Sequence, residues 1–341
     1  MKILYLTGDT TVRASAFSLF TPLYDTLTKT GKVTIQKHDA MMLYGNFYKK
    51  ELMEIGDCPR LRNADKVLDP SYINDNYDLI VLENPFPYWY EDWDKIQTKR
   101  VLVLGDLHRL APIGGKWPHF FNSFTQSIGE PSAILIKYKG KFFRKYYKNL
   151  DIPTYHWPHS IDPDIFHDYN LKKKYGVLST GMISKKIYPL RNTLDGIFKG
   201  KKYYKRIDRP PNRTDRYPNP WPVGRDYAKE INKAQISIAC TSKFSYTLAK
   251  LFEIPACNSV MLCDFTKEMN SLGFEPGVNF LEIPQKRVLE YVEDMLNSKS
   301  LEDISNNGYE LVHERHTVQK RVEEFITYCE EILKNEETVS A

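Results

Sequence analysis

The chain has 341 residues, of which 42% are hydrophobic and 27% are charged. This length and balance favour a soluble globular protein of two domains and exclude a disordered or fibrous chain. The net charge of +5 is a mild excess of base. No apolar run approaches the roughly 20 residues that span a bilayer, and the N-terminus meets Gly8-Asp9 too early for a signal peptide. We therefore expect a cytoplasmic protein.

Short apolar runs alternate with polar, helix-compatible segments in the first half of the chain. Continuous Ile, Leu and Val runs are typical of parallel strands that are covered on both faces, so the alternation predicts a doubly wound sheet. We expect the first helix to begin at Thr21-Pro22 and the loop of residues 8–20, with Asp9 and Arg13, to bind an acceptor at the carboxyl edge of the sheet. The predicted strands span residues 3–7, 33–36, 79–83, 101–104 and 133–136.

Asp106 follows one of these apolar runs and is therefore expected at the same edge. A partly buried carboxylate there could act as a general base on an acceptor hydroxyl, because burial raises its pKa. The alternative is an aspartate that caps a helix or a loop. His108 and Arg109 are close in sequence and could orient the acceptor or balance its charge.

Two segments concentrate the positive charge. Residues 137–148 hold six basic residues, several aromatic ones and no acid, and residues 199–209 hold six basic residues and one acid. Such runs can bind nucleic acid through phosphate contacts and stacking. The alternative is a solvated helix or edge strand whose aromatic side chains pack inward. Binding to nucleic acid is favoured if both segments share a face.

A connector rich in proline and aromatic residues, 153–168, leads to a second alternating half. Its predicted strands span residues 177–180, 236–240, 260–263 and 280–283, and its predicted helices span residues 190–198, 226–233, 245–252, 285–297 and 316–334. Residues 209–225 are too rich in proline for regular structure. Two alternating halves and a short connector predict a two-lobed molecule whose strand ends face a cleft.

The segment of residues 250–264 carries the most informative chemistry. Lys250 and Glu253 are three residues apart, so they share a face of a helix. The turn of residues 255–259, which includes Asn258, has small side chains and would let a ligand approach its backbone. A cation suits a phosphate and a carboxylate can accept both ribose hydroxyls, so the pattern indicates a nucleotide-diphosphate sugar. The alternative is an exposed i,i+3 salt bridge.

Two further residues are candidates for the diphosphate. Gly181 ends a predicted strand, where the missing side chain would let a pyrophosphate approach, although an ordinary turn glycine is the alternative. Arg191 could donate a fork of hydrogen bonds to phosphate oxygens, and its alternative is a plain surface charge. Lys185 and Lys186 are lesser candidates.

The sequence indicates no metal or tightly bound cofactor. Two Asp-x-Asp strings could in principle hold a divalent metal. The string at residues 92–94 follows an aromatic loop, and the string at residues 162–164 lies in the connector, so neither position indicates a metal site. The histidines show no helical pairing that favours zinc. The five cysteines are scattered and lack Cys-x-x-Cys spacing, which predicts reduced thiols. No phosphate loop or Gly-x-Gly-x-x-Gly favours an ATPase or a dehydrogenase.

Three motifs resemble the group 1 glycosyltransferases of the GT-B type, most closely their CgeB-like spore-maturation branch. The linker Pro-His-Ser-Ile-Asp-Pro-Asp-Ile-Phe is similar to the family's connector, Phe-Glu-Ile-Pro-Ala-Cys resembles its nucleotide-binding block, and Gly-Tyr-Glu-Leu-Val-His-Glu-Arg-His-Thr resembles its C-terminal helix; these motifs span residues 158–166, 252–257 and 308–317. The resemblance implies two Rossmann-like, doubly wound domains that face a cleft. We expect an acceptor domain, a nucleotide-sugar domain and a C-terminal helix with its tail at residues 1–156, 157–320 and 321–341.

Many group 1 enzymes carry Glu-x7-Glu, whose second glutamate corresponds to Glu253 here, but the first falls on Ser245. Because serine cannot supply a carboxylate, this departure argues against the retaining mechanism of those enzymes and keeps a non-transferring binding protein or epimerase as an alternative. A weaker likeness is to phage DNA beta-glucosyltransferases, which carry a basic residue like Lys250 before the ribose-binding glutamate. That likeness also implies a catalytic acid at Asp106 and a phosphate-binding arginine at Arg191.

Together these patterns predict a glycosyltransferase that uses a nucleotide-diphosphate sugar, with a UDP-sugar expected. Its acceptor would be a hydroxyl of a glycan or of a hydroxymethylated base in DNA. Glu253 would bind the ribose, and Asp106 would be the base if the reaction inverts the sugar. The other predicted ligands of the donor are Gly181, Arg191, Lys250 and Asn258.

Overall fold

A computed structural model describes most of the chain. The described residues are 1–9, 21–39, 69–83, 93–105, 129–146, 152–208 and 222–334. They form two sheets in which every pair of neighbouring strands is parallel. The predicted α/β class is therefore confirmed.

The first sheet has six strands in the order β2-β1-β3-β4-β5-β6. We call this sheet and the helices packed on it the N-terminal lobe. All five predicted strands are present, whereas β6 was missed because it is only three residues long and lies in the proline-rich connector. The strands are Ile3–Asp9 (β1), Val33–Asp39 (β2), Leu79–Glu83 (β3), Lys99–Leu104 (β4), Ala133–Ile136 (β5) and Thr154–His156 (β6). The helices are Thr21–Lys29 (α1), Pro70–Asn76 (α2) and Lys141–Tyr146 (α3).

The second sheet has five strands in the order β11-β10-β9-β7-β8 and forms the C-terminal lobe with its helices. The edge strand β8 was missed because its sequence, Tyr-Lys-Arg-Ile, is not an apolar run. The strands are Tyr175–Thr180 (β7), Tyr204–Ile207 (β8), Ala234–Ile238 (β9), Val260–Cys263 (β10) and Leu281–Glu282 (β11). The helices are Pro189–Phe198 (α4), Gly224–Asn232 (α5), Lys250–Ala256 (α6), Lys267–Ser271 (α7), Val288–Leu296 (α8) and Ser300–Arg315 (α9).

The last helix, Val318–Lys334 (α10), returns to the N-terminal lobe. Phe325 on its apolar side packs against Tyr5 of β1 and Trp157, with ring centroids 5.9 and 5.4 Å apart. The indole of Trp157 also donates to the backbone oxygen of Arg321 at 2.8 Å. The N-terminal lobe is thus built from both ends of the chain.

Both lobes share one topology near their first strand. In each sheet, the second strand along the chain lies on one side of the first, and the third strand lies on the other side. The strand order therefore reverses between β1 and β3 and again between β7 and β9. Open parallel sheets bind ligands outside the carboxyl ends of the strands at such a switch point.

The two lobes touch through the loop after β5 and the loop between β9 and α6. The ring of Tyr138 stacks on that of Tyr246, with centroids 4.1 Å apart and planes 6° apart. Gly140 lies so close to the backbone of Ser245 that a β-carbon on it would stand 2.6 Å from the Ser245 oxygen. The lobes are therefore in direct contact at one end of these loops.

Four of the five cysteines lie among the described residues, and each is a buried free thiol; Cys58 lies outside them. Across the same described residues, no helix has both the length and the apolar character needed to cross a membrane.

Candidate functional site

The carboxyl end of β7 gathers three of the predicted donor-binding residues. Gly181 directly follows the strand with φ +88°, a conformation that favours glycine. A β-carbon on it would lie 2.9 Å from Lys250 Nζ and 3.5 Å from Arg191 Nη1. The structure therefore brings Gly181, Lys250 and Arg191 together from three separate elements at the β7–β9 switch point.

Lys250 begins α6 and reaches back to the end of β7. Its ammonium donates to the backbone oxygen of Thr180 at 2.8 Å and also to the Thr180 hydroxyl. An ammonium has three donors, so one is left for an anion. Burial, followed by the charge of Arg191, lowers the pKa of Lys250, and the carboxylate of Glu253 opposes this shift. A bound anion would favour the charged form.

Arg191 lies in the first turn of α4 and is only 2% exposed. Its Nη1 donates to the backbone oxygen of Met182 at 3.1 Å, and its guanidinium lies 4.4 Å from the ring centre of Tyr188. Its Nε is buried without a hydrogen-bond partner. Leaving a buried donor unpaired costs about 1–3 kcal/mol, so an anion that accepted from this guanidinium would stabilise the fold. Arg191 is not a plain surface charge.

Glu253 lies one turn after Lys250 in α6 and is 4% exposed. The side chains of Lys250 and Glu253 are both described and form no direct ion pair. The structure therefore excludes the alternative of an exposed i,i+3 salt bridge. The hydroxyl of Tyr227 donates to Glu253 Oε2 at 3.5 Å, which is long for a hydrogen bond. Burial raises the pKa of the Glu253 carboxyl. The carboxylate keeps capacity to accept from ligand hydroxyls.

Tyr227 of α5 was missed by sequence reasoning, yet it lies between the other members of the group. Its hydroxyl is 3.2 Å from Thr180 Oγ1, and Lys250 Nζ lies 5.6 Å from its ring centre. Burial, and then the charge of Glu253, raise the pKa of Tyr227 well above its ordinary value. The phenol is therefore a protonated donor. No local motif marks it, since the contacts depend on how α5 packs on α6.

Arg206 of β8 is a second residue that the sequence did not single out. It donates to the backbone oxygen of Gly181, to Asp208 at 2.9 Å and to the Ser179 hydroxyl at 3.2 Å. Its guanidinium thereby holds the turn after β7. The sequence did not distinguish Arg206 from the rest of the basic run of residues 199–209, whose lysines lie at the surface.

Asn258 is not brought to this group, although the sequence predicted it there. It precedes β10 and therefore lies at the amino edge of the parallel sheet, opposite Gly181. Its amide donates to Asp168 Oδ2 at 2.8 Å and accepts from Ser305 Oγ at 2.6 Å. These partners give the side chain a structural role.

The turn predicted at residues 255–259 is packed instead of open to a ligand. Helix α6 continues through Pro255 to Ala256, beyond the predicted end at residue 252. A β-carbon on Gly308 of α9 would lie 3.3 Å from Pro255 Cβ. The side chains of this segment are therefore small because α9 packs against them, and not because a ligand approaches the backbone.

Ser245, where the family it resembles has a glutamate, lies in the loop between β9 and α6. It has φ +58°, and Ser242 in the same loop has φ +63°. Such angles are uncommon for residues other than glycine and are concentrated at functional sites. The loop is therefore held in a strained conformation next to α6.

The predicted acceptor residues fall largely outside the described residues. Asp9 is the last residue of β1 and lies at the carboxyl edge, but only its backbone is described. The others, which stay predictions, are Arg13, Asp106, His108 and Arg109.

A charged group that the sequence did not predict lies at the carboxyl edge of the N-terminal sheet. Glu83 ends β3 and Lys137 follows β5; they are 3% and 5% exposed, and Lys137 Nζ lies 3.9 Å from Glu83 Oε1. The hydroxyls of Thr7 and Tyr24 donate to Glu83 Oε2 at 3.0 and 2.5 Å. Burial lowers the pKa of Lys137, and Glu83 raises it. Both carboxylate oxygens therefore have partners.

The Asp-x-Asp strings do not form a metal site within the described residues. Asp162 accepts from the backbone nitrogen of Asp164 at 3.0 Å, which is a local turn. Asp94 lies in a short 3₁₀ turn, and Asp92 lies outside the described residues. The described part of the chain has no group of three or more His, Cys, Asp or Glu side chains placed to hold a metal ion.

The described parts of the two basic runs do not share a face. Helix α3 of the first run follows β5 and so lies at the carboxyl edge of the N-terminal sheet. Lys199 and Lys202 of the second run precede β8, at the amino edge of the other sheet. Phe143 of the first run packs into the N-terminal core, as the inward-packing alternative predicts. The condition that favoured a joint nucleic-acid surface is therefore not met.

Comparison with known proteins places this geometry in context. Residues 195–327, which include Lys250 and Glu253, match the model of a family described as glycosyl transferase-like. No curated protein matches the chain. Because the family model covers less than half of the chain, it supports the assignment of the C-terminal lobe only.

Solved structures match nearly the whole chain. Sucrose-phosphate synthase from Thermosynechococcus elongatus has a TM-score of 0.67 at 11% identity, covering 97% of this chain and 99% of its own. A glycosyltransferase from Rickettsia africae has a TM-score of 0.63 at 12% identity, with 98% and 99% covered. Anabaena HepE, solved with UDP and glucose, has a TM-score of 0.58 at 10% identity, with 97% and 100% covered.

At these identities the likeness shows the fold alone. The CgeB-like branch and the likeness to phage enzymes stay predictions. The chain has the GT-B fold, and residues 195–327 match a glycosyl transferase-like family.

Proposed function

We propose that the protein is a glycosyltransferase that moves a sugar from a nucleotide-diphosphate sugar to a hydroxyl acceptor. The convergence of Gly181, Arg191 and Lys250 at the switch point of the C-terminal sheet carries this proposal. A UDP-sugar is the expected donor, which the presence of UDP in the structurally similar HepE supports. The acceptor would be a hydroxyl of a glycan or of a modified base.

The donor diphosphate would lie over Gly181, where no side chain obstructs it. Arg191 and the remaining donor of Lys250 would bind the phosphate oxygens. As the bond to the sugar breaks, negative charge builds on the diphosphate, and two fixed cations in a partly buried setting stabilise it. The same negative charge would raise the pKa of Lys250 and keep its ammonium protonated.

Glu253 would accept hydrogen bonds from the two ribose hydroxyls. Its carboxylate has one long hydrogen bond, from Tyr227 at 3.5 Å, and therefore has acceptor capacity to spare. A ligand that supplied two hydroxyl donors would favour the ionised carboxylate over the neutral form that burial favours. Ribose binding would thus be coupled to ionisation of Glu253.

The acceptor would bind to the N-terminal lobe, with Asp106 as the base if the reaction inverts the sugar. Asp9, Arg13, His108 and Arg109 would position the acceptor. Closure of the lobes on both substrates would exclude water and limit hydrolysis of the donor. If the reaction retains the configuration, Asp106 would only position the substrates.

A thermal-shift screen tests the donor assignment. A specific ligand at about 100 times its Kd stabilises the fold by about 2.7 kcal/mol, so one class of nucleotide sugar should raise the Tm by several degrees. Arg191→Ala should reduce the shift to about half or less, because a Kd about 10- to 100-fold higher lowers the stabilisation at the same ligand concentration. Asn258→Ala should keep the shift, measured relative to the Tm of that variant without ligand. Stabilisation by unrelated phosphometabolites but by no nucleotide sugar would contradict the proposal.

Donor consumption then separates a transferase from a protein that only binds. A glycosyltransferase should hydrolyse its donor slowly when no acceptor is present and faster when an acceptor is supplied. Binding with neither hydrolysis nor transfer would favour the non-transferring alternative, which Ser245 in place of an acid keeps open.

A further inference from the structure

Three segments that are far apart in sequence bring exposed cations to the same part of the molecule. One segment belongs to the N-terminal lobe, at α3 and the loop before it, and two belong to loops at the carboxyl edge of the C-terminal sheet. We call their exposed basic residues the basic strip: Lys139, Lys141, Arg144, Lys185, Lys186 and Lys243.

Backbone contacts join the three segments. The Lys243 nitrogen donates to the Ile187 oxygen at 2.9 Å, which holds the loop after β9 against the loop that carries Lys185 and Lys186. Across the lobes, the Lys139 nitrogen donates to Glu268 Oε1 of α7 at 2.6 Å. Gly140 packs on the Ser245 oxygen, two residues after Lys243. The strip therefore crosses the contact between the lobes.

The two nearby acids, Asp264 and Glu268, form no ion pair with the strip. Asp264, at the end of β10, accepts hydrogen bonds from the backbone and hydroxyl of Thr241. Glu268 is 3% exposed and lies 3.0 Å from His156 Nε2. In the described parts of the chain, no ion pair joins an acid to Lys185, Lys186 or Lys243, or to Lys141 in α3.

Two exposed lysines elsewhere in the structure have acidic partners. Lys32 lies 3.0 Å from Glu330, and Lys320 lies 2.9 Å from Glu323. Other exposed lysines also lack an ion pair among the described residues, such as Lys199, Lys202 and Lys205. The strip is set apart by six cations that lie together across the contact between the lobes. Such a concentration of one sign attracts a polyanion over several ångströms.

Among the described side chains of these segments, Met182 is a large apolar one that is exposed, at 37%, whereas insertion into a membrane surface needs a broad apolar face. Phe143 and Phe244, the described phenylalanines of these segments, both pack against the N-terminal core. The position of the strip favours a substrate, because the strip borders the switch point that holds Gly181 and crosses from the donor lobe to the acceptor lobe. Arg191 and Lys250 already supply cations for a diphosphate.

We infer that the acceptor is a phosphodiester polymer, and that its phosphates lie along the basic strip while its hydroxyl enters the cleft. This inference rests on the proposed glycosyltransferase function, whose acceptor it specifies. The polymer's backbone charge supplies affinity, and the hydroxyl to be modified is presented beside the donor. A DNA duplex and a poly(glycerol phosphate) chain share this chemistry.

Equilibrium binding without donor tests the inference. Fluorescence anisotropy would follow the protein with a labelled DNA duplex of about 20 base pairs, with poly(glycerol phosphate), and with vesicles of an anionic phospholipid. The strip variant is Lys141→Glu, Lys186→Glu and Lys243→Glu together. The matched control, Lys199→Glu, Lys202→Glu and Lys205→Glu, makes the same charge change at the amino edge of the C-terminal sheet, where these lysines are also exposed.

We expect the wild type to bind at least one of the two polymers with a steep salt dependence. The strip variant should bind it about 30-fold or more weakly at ~0.1 M salt, with a log–log salt slope smaller by about 3. The control should bind within about 3-fold of wild type. The DNA and glycerol phosphate arms distinguish the two sources of phosphodiester.

Equal losses in the strip variant and the control would overturn the inference, as would binding to vesicles alone or to none of the three probes. The thermal shift with a nucleotide sugar is measured on the same variants. If the wild type shows that shift but binds neither polymer, the acceptor inference is wrong and the proposed function stands. If the shift itself is absent in wild type, the proposed function fails first.

Discussion

The two lobes have the same strand order around their switch points but treat buried charge in opposite ways. In the N-terminal lobe, Glu83 receives hydrogen bonds from Thr7 and Tyr24 and faces Lys137 at 3.9 Å. In the C-terminal lobe, the corresponding edge holds Arg191 with an unpartnered Nε. The protein supplies partners for both oxygens of Glu83, whereas the guanidinium of Arg191 keeps an unused hydrogen-bond donor.

This difference indicates how the role of a buried charged side chain, structural or ligand-binding, can be inferred from its hydrogen-bond partners. A charged group whose partners are all supplied by the chain contributes to the fold, whereas one that has capacity left over and lies at a switch point can also bind a ligand. Removing a member of the first group should therefore affect stability, and removing a member of the second should affect binding. Variants of both kinds test this distinction.

The largest expected effect is on stability, from Glu83→Leu in the N-terminal lobe. Removing one partner of a buried ion pair typically costs about 3–5 kcal/mol, because the other charge is left in a low-dielectric setting. Urea denaturation should show this loss in the free energy of unfolding. The affinity for nucleotide sugar should be unchanged below the unfolding transition, and a large loss of affinity would mean that Glu83 belongs to a binding site.

The second effect is on binding, from Arg191→Met in the C-terminal lobe. Hydrogen bonds to charged groups contribute about 1.5–3 kcal/mol, so the Kd for a nucleotide diphosphate should rise about 10- to 100-fold. Stability should fall little, because the variant also removes an unpaired buried donor. Isothermal titration calorimetry measures the affinity. An unchanged Kd with reduced stability would mean that Arg191 stabilises the fold and does not bind the diphosphate.

The third effect is a pH dependence of stability. Burial, and then the charge of Arg321, lower the pKa of His316 to about 3, while an unfolded histidine titrates near 6.5. The unfolded state therefore binds more protons between these values, and the stability present above pH 6.5 is lost as the pH falls toward 3.

His316→Gln should flatten this dependence by about 1–2 kcal/mol between pH 7 and pH 5, because that contribution disappears. Thermal melts across this range measure it, with His167→Gln as the control, since the His167 ring is partly exposed and lies against Tyr169 and the Pro163 oxygen. A variant that keeps the full acid sensitivity of the wild type would exclude His316 as its source.

The smallest effect is expected from Tyr227→Phe. This change removes the donor that reaches Glu253 at 3.5 Å but keeps the ring beside Lys250. A neutral hydrogen bond contributes about 0.5–1.5 kcal/mol, so the Kd for a nucleotide diphosphate should rise only about 3- to 10-fold. No change in Kd would mean that the phenol does not orient the carboxylate.

The sequence predicted the central strands well because their apolar runs must be buried on both faces. It missed β6 and β8, whose short or charged sequences become strands only by pairing with a neighbour already in place. The boundaries predicted after residues 156 and 320 stay predictions, and limited proteolysis would test whether the lobes unfold separately.

For the candidate site, the three-residue spacing of Lys250 and Glu253 was enough to predict that they lie on the same face of one helix. The approach of Arg191 to Gly181 was expected from a family resemblance. Tyr227 and Arg206 had no signal, because their roles arise from packing between elements. The structure places Asn258 away from Gly181, Arg191 and Lys250, because a turn of small residues has the same sequence pattern whether a ligand or a helix covers it.

The central claim is that Glu253 binds the ribose of a nucleotide donor, and a comparison of two ligands tests it most directly. Calorimetry would measure UDP and 2′,3′-dideoxy-UDP binding to the wild type and to Glu253→Ala. We predict that the wild type binds UDP at least about 10-fold more tightly, consistent with charged hydrogen bonds of about 1.5–3 kcal/mol, and that the variant binds both ligands alike. Discrimination that survives unchanged in the variant would contradict the claim.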